Sequence, residues 1–582
     1  MPTLALTNFN IVVTVLGGWI SLFGLVSYLV KENFYLSEAL ISLLAGIIVS
    51  PSGANLISPI SLTQGSPTAL QTATLAFSRL VLGVQLVLAG VQLPSRYLRT
   101  QWRPLSLLLG PIMVCMWMST SLLVWALVPS LSSEVGSAWG FVHALAVGAC
   151  VTPTDPVLSA VVVKGRWAEH NVPTPLVRLI VAESGANDGL GYPFLFFALW
   201  VIKEGGGGGH EAGWVKKAMA LWFGETWGYV VLLSVAYGAA VGFLARLLLR
   251  WARERKYVDR ESFLVFAVSL ALFIVGTCGM IGTDDVLACF IAGNVFTWDD
   301  WFRLETLDDS LQPTIDMLLN VSIFMWYGAV CPWTSFLHNE VVPIYRLVGL
   351  GILVLLLRRL PFILGLHKMI PQIENINQAV FVGFFGPVGV SAVFYLIVAV
   401  EFVETLKVDG EPREDVKHLA ETITVVVWFL VICSVIVHGL SIPVGKLGVY
   451  LPRTISRSLS IVTTDGREPL SPFQITNNRT ASLIARQANA DSTGSTTPAS
   501  TPRPGAVYRL GGTVIPRRPE EAPSDSDRAT GVADDSRGGR GTVSPAEEAH
   551  HRRRAVPEQA GRAIRFDDEL SAGTTRAAAT NQ

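Results

Sequence analysis

The chain has 582 residues, 51% hydrophobic and only 15% charged, where a soluble domain carries roughly 25% charged residues. Its formal net charge is −1, so it offers no electrostatic footing for a nucleic acid. These values exclude an ordinary soluble enzyme, and the apolar excess is confined to residues 1–450, ahead of a Ser/Thr/Pro/Arg-rich remainder.

A membrane helix needs about 20 apolar residues. Candidate spans lie near 11–30, 36–51, 70–93, 104–129, 138–163, 175–202, 219–249, 262–280, 281–297, 312–336, 343–366, 376–402 and 420–446. The count is twelve or thirteen, according to whether 36–51 and 281–297 cross. The run 11–30 is too long for the apolar core of a signal peptide and reads as a first span. All six cysteines (Cys115, Cys150, Cys278, Cys289, Cys331, Cys433) fall in apolar surroundings and form no C-x-x-C pair, so they read as small buried hydrophobes.

Basic residues cluster after the seventh span (Arg246, Arg250, Arg253, Arg255, Lys256, Arg260), after the fifth (Lys164, Arg166) and after the last (Lys446). In a thirteen-span count these connections share one face, which the positive-inside rule makes cytoplasmic. Five glycines at 205–209 read as a flexible loop, because no Lys-Ser/Thr follows them. Residues 451–582 hold too few apolar groups to offset ordering entropy and read as a disordered cytoplasmic tail. Ser456, Ser458 and Ser460 follow arginines closely enough to suit kinases, and Asn478-Arg479-Thr480 is a glycosylation triplet that stays unmodified on the cytosolic side.

Several acids sit inside this apolar sequence. A charge at the centre of a membrane helix costs about 2.5–3.5 kcal/mol on insertion scales. In the fifth span Thr152-Pro153-Thr154-Asp155-Pro156 places prolines on both sides of one aspartate. Each proline removes a donor and clashes with the preceding turn, so the helix breaks at Thr154 and Asp155. The break frees carbonyl oxygens beside a carboxylate, a hard-oxygen setting for Na+ or Li+. The alternative is a proline kink with a satisfied aspartate.

In the sixth span Glu183 and Asn187, and likewise Ser184 and Asp188, are four apart. Two adjacent polar stripes therefore run along one helix face. A second break is expected at Gly386-Pro387-Val388-Gly389, and paired interrupted spans point to a transporter site. Arg358 or Arg359 is placed to pair with Glu183, which leaves Asp188 as the titrating group. Asp284-Asp285 reads as an ion vestibule or a helix cap. His438 is a proton-sensitive candidate against the plainer reading of a structural histidine.

The runs Thr154-Asp155-Pro156 and Glu183-Ser184-x-x-Asn187-Asp188-Gly189 resemble the paired motif of sodium/proton antiporters of the monovalent cation:proton antiporter-1 family. Runs at 282–294, 298–303, 385–390 and 438–443 are similar to the fungal plasma-membrane branch. The resemblance covers about 10–450. It implies an all-α polytopic membrane protein with inverted repeats, discontinuous crossing helices and a core domain that moves against a dimerisation domain, hence a homodimer in the bilayer. Carried over, Asp155, Asp188, Ser184 and the backbone of Thr154 bind the cation, while Glu183 and Asn187 pair with Arg358 or Arg359. Val388 stands where many members have arginine, and 86–93 offers only Gln92 where prokaryotic members have glutamate, with Asp284 or Asp285 as substitutes. The implied activity is exchange of cytosolic Na+ (or Li+, K+) for external H+, serving salt tolerance and pH balance, with no cofactor and no enzymatic step. Stoichiometry stays open. A cation channel and an intramembrane aspartyl protease are the alternatives, separated by proton-linked flux and peptide-cleavage assays.

Overall fold

Where water is excluded, every backbone N–H and C=O has to be paired within the chain, and a helix does this locally. A computed structural model describes residues 7–34, 36–131, 137–156, 158–159, 172–206, 212–307, 309–461, 509–510 and 513–514. Two units are distinguished, Met1–Arg467 and Glu468–Gln582. The described part of the second is one antiparallel pair, Arg509–Leu510 with Thr513–Val514. Lys164, Arg166, most of the glycine run, the triplet at 478–480 and nearly all of the expected tail lie outside the described residues.

Each apolar stretch read from the sequence coincides with a helix, straight or broken. In order these are α1 (Asn8–Tyr28), α2 (Glu38–Val49), α3 (Pro67–Gln92), α4 (Trp102–Leu127), α5 (Ser137–Cys150), α6 (Thr174–Gly205) and α7 (Trp214–Glu254). Then follow α8 (Arg260–Ile281), α9 (Asp285–Phe296), α10 (Leu311–Val330), α11 (Ile344–Met369), α12 (Ile376–Phe384), α13 (Val390–Glu404) and α14 (Leu419–Ile461). Among the described residues, seven helices are long and apolar enough to cross a membrane. The two doubtful stretches are α2 and α9, each of 12 residues. At 1.5 Å per residue they reach about 18 Å, short of a hydrocarbon core of about 30 Å. The last helix continues past residue 450 to Ile461.

The helices pack continuously: α2 lies on α10, and α9 is sandwiched between α3 and α7. Close approach needs small residues there: a Cβ on Gly238 or Gly242 of α7 would strike the α9 backbone at Ala288 or Ala292. Beside them α5 packs on α4 and α6, α13 packs on α14 and also reaches α3, and α6 also reaches α3 and α9. The α13–α14 connection holds a two-residue hairpin, Lys407–Val408 with Glu411–Pro412, turned by Asp409-Gly410 with both φ positive.

The 298–303 motif builds a corner after α9. Asp300 grips Arg303 through both oxygens at 2.6 Å, and the Arg303 hydrogen bond holds the Asp300 carboxyl below the usual carboxylate range. Ion pairs Arg250–Asp299 (3.1 Å) and Arg253–Glu305 (3.4 Å) tie this corner to the basic α7–α8 connection. Both are exposed, so each contributes about 0–1 kcal/mol.

Candidate cation site

Both expected breaks are present, and they meet. The helix α5 ends at Cys150 and the chain restarts at Pro156, the first-turn position where a missing N–H costs nothing. Between α12 and α13, residues 385–389 are non-helical. The Asp155 N–H donates to Pro387 O at 2.9 Å. In return Val390 N–H donates to Asp155 Oδ2 at 2.7 Å. Asp155 thus faces two helix N-termini, its own restart and that of α13, where partial positive charge accumulates. Gly389 is required at the crossing, since a Cβ there would run into the Asp155 carboxylate.

The opposite polarity is met by Arg358, which is 2% exposed. Its Nη1 donates to Val151 O, with Thr152 O at 3.3 Å and Pro153 O at 3.4 Å. Its Nη2 donates to Gly386 O. One guanidinium therefore satisfies the free carbonyls at the C-terminal ends of both half-helices. Arg359 turns elsewhere. It grips Glu183 through both amines, with Nη2–Oε2 at 2.8 Å, and its Nε donates to Val382 O at 3.0 Å. The pairing that the sequence left open between two arginines goes to Arg359.

Asn187 does not reach an arginine. Its Oδ1 accepts Thr154 N–H at 3.2 Å and its Nδ2 donates to Thr154 Oγ1 at 2.8 Å. One turn beyond Glu183, the amide meets the broken backbone of α5 before any guanidinium. Ser184 lies on the ligand stripe, but its hydroxyl donates to Ile180 O at 2.9 Å, so only oxygen lone pairs remain for a cation.

Asp188 is fully buried, and neither carboxylate oxygen has a hydrogen-bond partner. The Ser391 hydroxyl lies close to it, and the charges of Asp155 and Asp284 act on it. An ionised carboxylate without donors cannot rest in an apolar interior at acceptable cost. It needs a proton or a cation.

Asp284 is a helix cap, one of the two readings open to it. Its Oδ1 caps α9, accepting Val286 N–H at 2.9 Å and Leu287 N–H at 3.1 Å, while its buried Oδ2 has no partner. Asp285 pairs with Arg79 at 2.8 Å. His438 Nε2 lies 3.0 Å from Phe384 O, and Ser434 Oγ accepts Val388 N–H at 2.7 Å. These two α14 side chains hold the second break, which places His438 in a supporting position.

Sequence reasoning passed over Ser391, Tyr395, Ser434 and Gln85. Tyr395 OH donates to Asp188 O, and Ser391/Tyr395 and Ser434/His438 are i,i+4 stripes that the stripe reading of α6 would have found. Gln92 is not the buried amide of α3. Gln85 is, donating to Asn320 Oδ1 at 2.5 Å.

Residues 19–444 match the family described as sodium/hydrogen exchanger, transmembrane. A Na+/H+ antiporter of Saccharomyces cerevisiae is 35% identical over 474 residues, covering 80% of this chain and 46% of that one. A Na+/H+ antiporter 2 of Zygosaccharomyces rouxii is 36% identical over 77% of this chain and 54% of its own length. The chain thus spans about half the length of these relatives. A Na+/H+ antiporter of Schizosaccharomyces pombe is 30% identical over 78% of this chain and 95% of its own. The structure of a sodium proton antiporter from Methanocaldococcus jannaschii superposes with a TM-score of 0.53 at 15% identity, over 75% of this chain and 98% of that one, and so shares the fold. With the family match running from α1 into α14 and both helix breaks inside it, the chain belongs to the sodium/hydrogen exchanger family.

Proposed function

We propose that the chain exchanges Na+ for H+ across a membrane by alternating access, with Asp188 as the carboxylate for which the two compete. The observation that carries this reading is the buried, unpartnered Asp188 carboxylate beside two crossed helix breaks. Asp155 lies next to it with one oxygen committed to Val390 N–H. The Thr154 backbone and the Ser184 oxygen complete the proposed ligand set. Binding of a proton or of a dehydrated Na+, Li+ or K+ neutralises the site, and the neutral site crosses. The charged empty site does not, and this couples the two fluxes. Asp284, with one free oxygen and an electrostatic line to Asp188, serves as a vestibule.

The reading extends to a homodimer in the plasma membrane, oriented with the basic connections and the tail in the cytoplasm, and to tail serines as kinase targets. The family likeness and the charge distribution support these points. The protease alternative needs two carboxylates free to share a water, and Asp155 Oδ2 is taken.

The test is exchange in proteoliposomes under an imposed pH gradient. Asp188→Asn should abolish proton-coupled Na+ flux. Full flux in that variant sinks the assignment, and Na+ flux that ignores the pH gradient favours a channel.

A further inference from the structure

Away from the crossing, a second donor set assembles where the α10–α11 connection meets the start of α14. We propose that Glu340, His418 and Glu421 bind a divalent transition-metal ion of the zinc class, separate from the transported cation. One ligand atom from each lies within 4.8 Å of the other two. Tetrahedral zinc holds its ligand atoms roughly 2.0–2.1 Å from the metal, so closure asks for small side-chain movements, which an exposed Glu340 can make.

Local structure brings the three together. His418 and Glu421 are three apart at the entry to α14, a spacing that puts side chains on one face. Glu340 is drawn in by its own N–H, which donates to Glu421 Oε1 at 3.3 Å. The connection behind it is held by Asn339 Oδ1, which accepts Val341 N–H at 3.1 Å and Val342 N–H at 2.7 Å. One imidazole with two carboxylates suits a borderline ion such as Zn2+, whereas Ca2+ and Mg2+ want oxygen alone.

His418 also borders a neighbouring cavity of about 400 Å³, lined with it by His143, Ser130, Asp415 and Lys417. His143 is 1% exposed, and neither of its ring nitrogens has a hydrogen-bond partner. Idle polar atoms at that depth cost about 1–3 kcal/mol. Asp415 cannot serve His143, since both its oxygens are held by Arg413 at 2.6 and 2.9 Å.

The location links the ion to exchange. The Glu340 connection leads into α11, which carries Arg358 and Arg359, and His418 opens α14, which carries Ser434 and His438. All four side chains hold the crossing or its neighbour Glu183. An ion shared between these entries ties the two helices and slows their movement.

The experiment titrates Zn2+ into the full chain in nanodiscs by calorimetry. One site of micromolar affinity is expected, unchanged in Asp188→Asn and weakened on the order of tenfold or more in His418→Ala and in Glu340→Gln/Glu421→Gln. Equal binding by wild type and both variants, or binding only at millimolar Zn2+, overturns the site. In proteoliposomes, Zn2+ supplied on both faces should slow exchange by the wild type and leave His418→Ala unaffected. Zinc binding without slowing overturns the link to exchange, and because Asp188→Asn retains the metal, that outcome is distinct from failure of the exchange reading.

Discussion

Glu183 and Arg359 form a bidentate pair at 2% and 3% exposure. Removing one partner of such a pair leaves a bare buried charge and costs about 3–5 kcal/mol. Here the penalty is sharpened by Arg358, which has no carboxylate of its own and lies next in sequence. Glu183→Gln therefore leaves the Arg359 guanidinium without its counter-ion beside a second guanidinium, and Arg359→Met leaves the buried Glu183 carboxylate without a cation. Each single change should remove about 3–5 kcal/mol, a large part of the 5–15 kcal/mol that holds most domains folded. The double variant should recover about 2–3 kcal/mol of the summed loss, the coupling expected between contacting groups. The assay is thermal unfolding of purified protein followed by retained monodisperse signal, where each single variant should melt on the order of 5 °C lower. Arg358→Met combined with Glu183→Gln is the control, and its coupling should be smaller because Arg358 donates only to carbonyls. If both singles lose under about 1 kcal/mol and their effects simply add, the pair is not the structural clamp described here.

Three further outcomes follow from the same geometry. Gly389→Ala drives a methyl into the Asp155 carboxylate, so it should cost about 1–3 kcal/mol through overpacking and abolish exchange measured in vesicles. Asn187→Ala strands the Thr154 N–H and should destabilise by about 1–3 kcal/mol, while Asn187→Asp, which keeps the acceptor, should lose less in the same melt. On the proposed exchange, protons compete with Na+ for Asp188, so acidifying the Na+ side should raise the apparent KM for Na+ by up to about tenfold per pH unit for one competing proton, with the maximal rate reached at higher Na+; a KM that does not move between pH 8 and pH 6 contradicts competition.

Much of this is legible in the sequence. Prolines flanking Asp155 and the Gly-Pro pair at 386–387 mark the breaks because their backbone chemistry is local. The stripes on α6 are visible because helix periodicity is local too. The choice between Arg358 and Arg359 is not. The α11 helix stops at Arg358 and restarts after Arg359, whose φ of −124° lies outside the helical range. One residue on either side of that irregularity points to a different target, and only the packed neighbours decide which. The same holds for Asn187. Its spacing from Glu183 says which face it shares, yet the broken strand of backbone it binds arrives from another helix. Gln85 and Asn320 were hidden for a related reason: single amides in apolar runs carry no pattern until α3 and α10 are laid side by side.

The charges at the crossing explain why one small ion can act as the switch. Asp155 is balanced by two helix N-termini and Arg358 by two C-termini. Glu183 is balanced by Arg359. These compensations are made by backbone and side chains that travel together, so they persist whichever way the site faces. At the crossing itself three carboxylates (Asp155, Glu183, Asp188) stand against two guanidiniums, with Asp284 a further buried acid acting on Asp188, and Asp188 is the carboxylate left without a compensating group. On the proposed exchange, one proton or one monovalent cation compensates it. A low-dielectric barrier penalises an unmatched charge by several kcal/mol, so on the proposed exchange the loaded states move and the empty one stays. Had Asp188 been given its own donor, as Asp155 was given Val390 N–H, the site would rest neutralised without cargo and the coupling of the two ions would be lost.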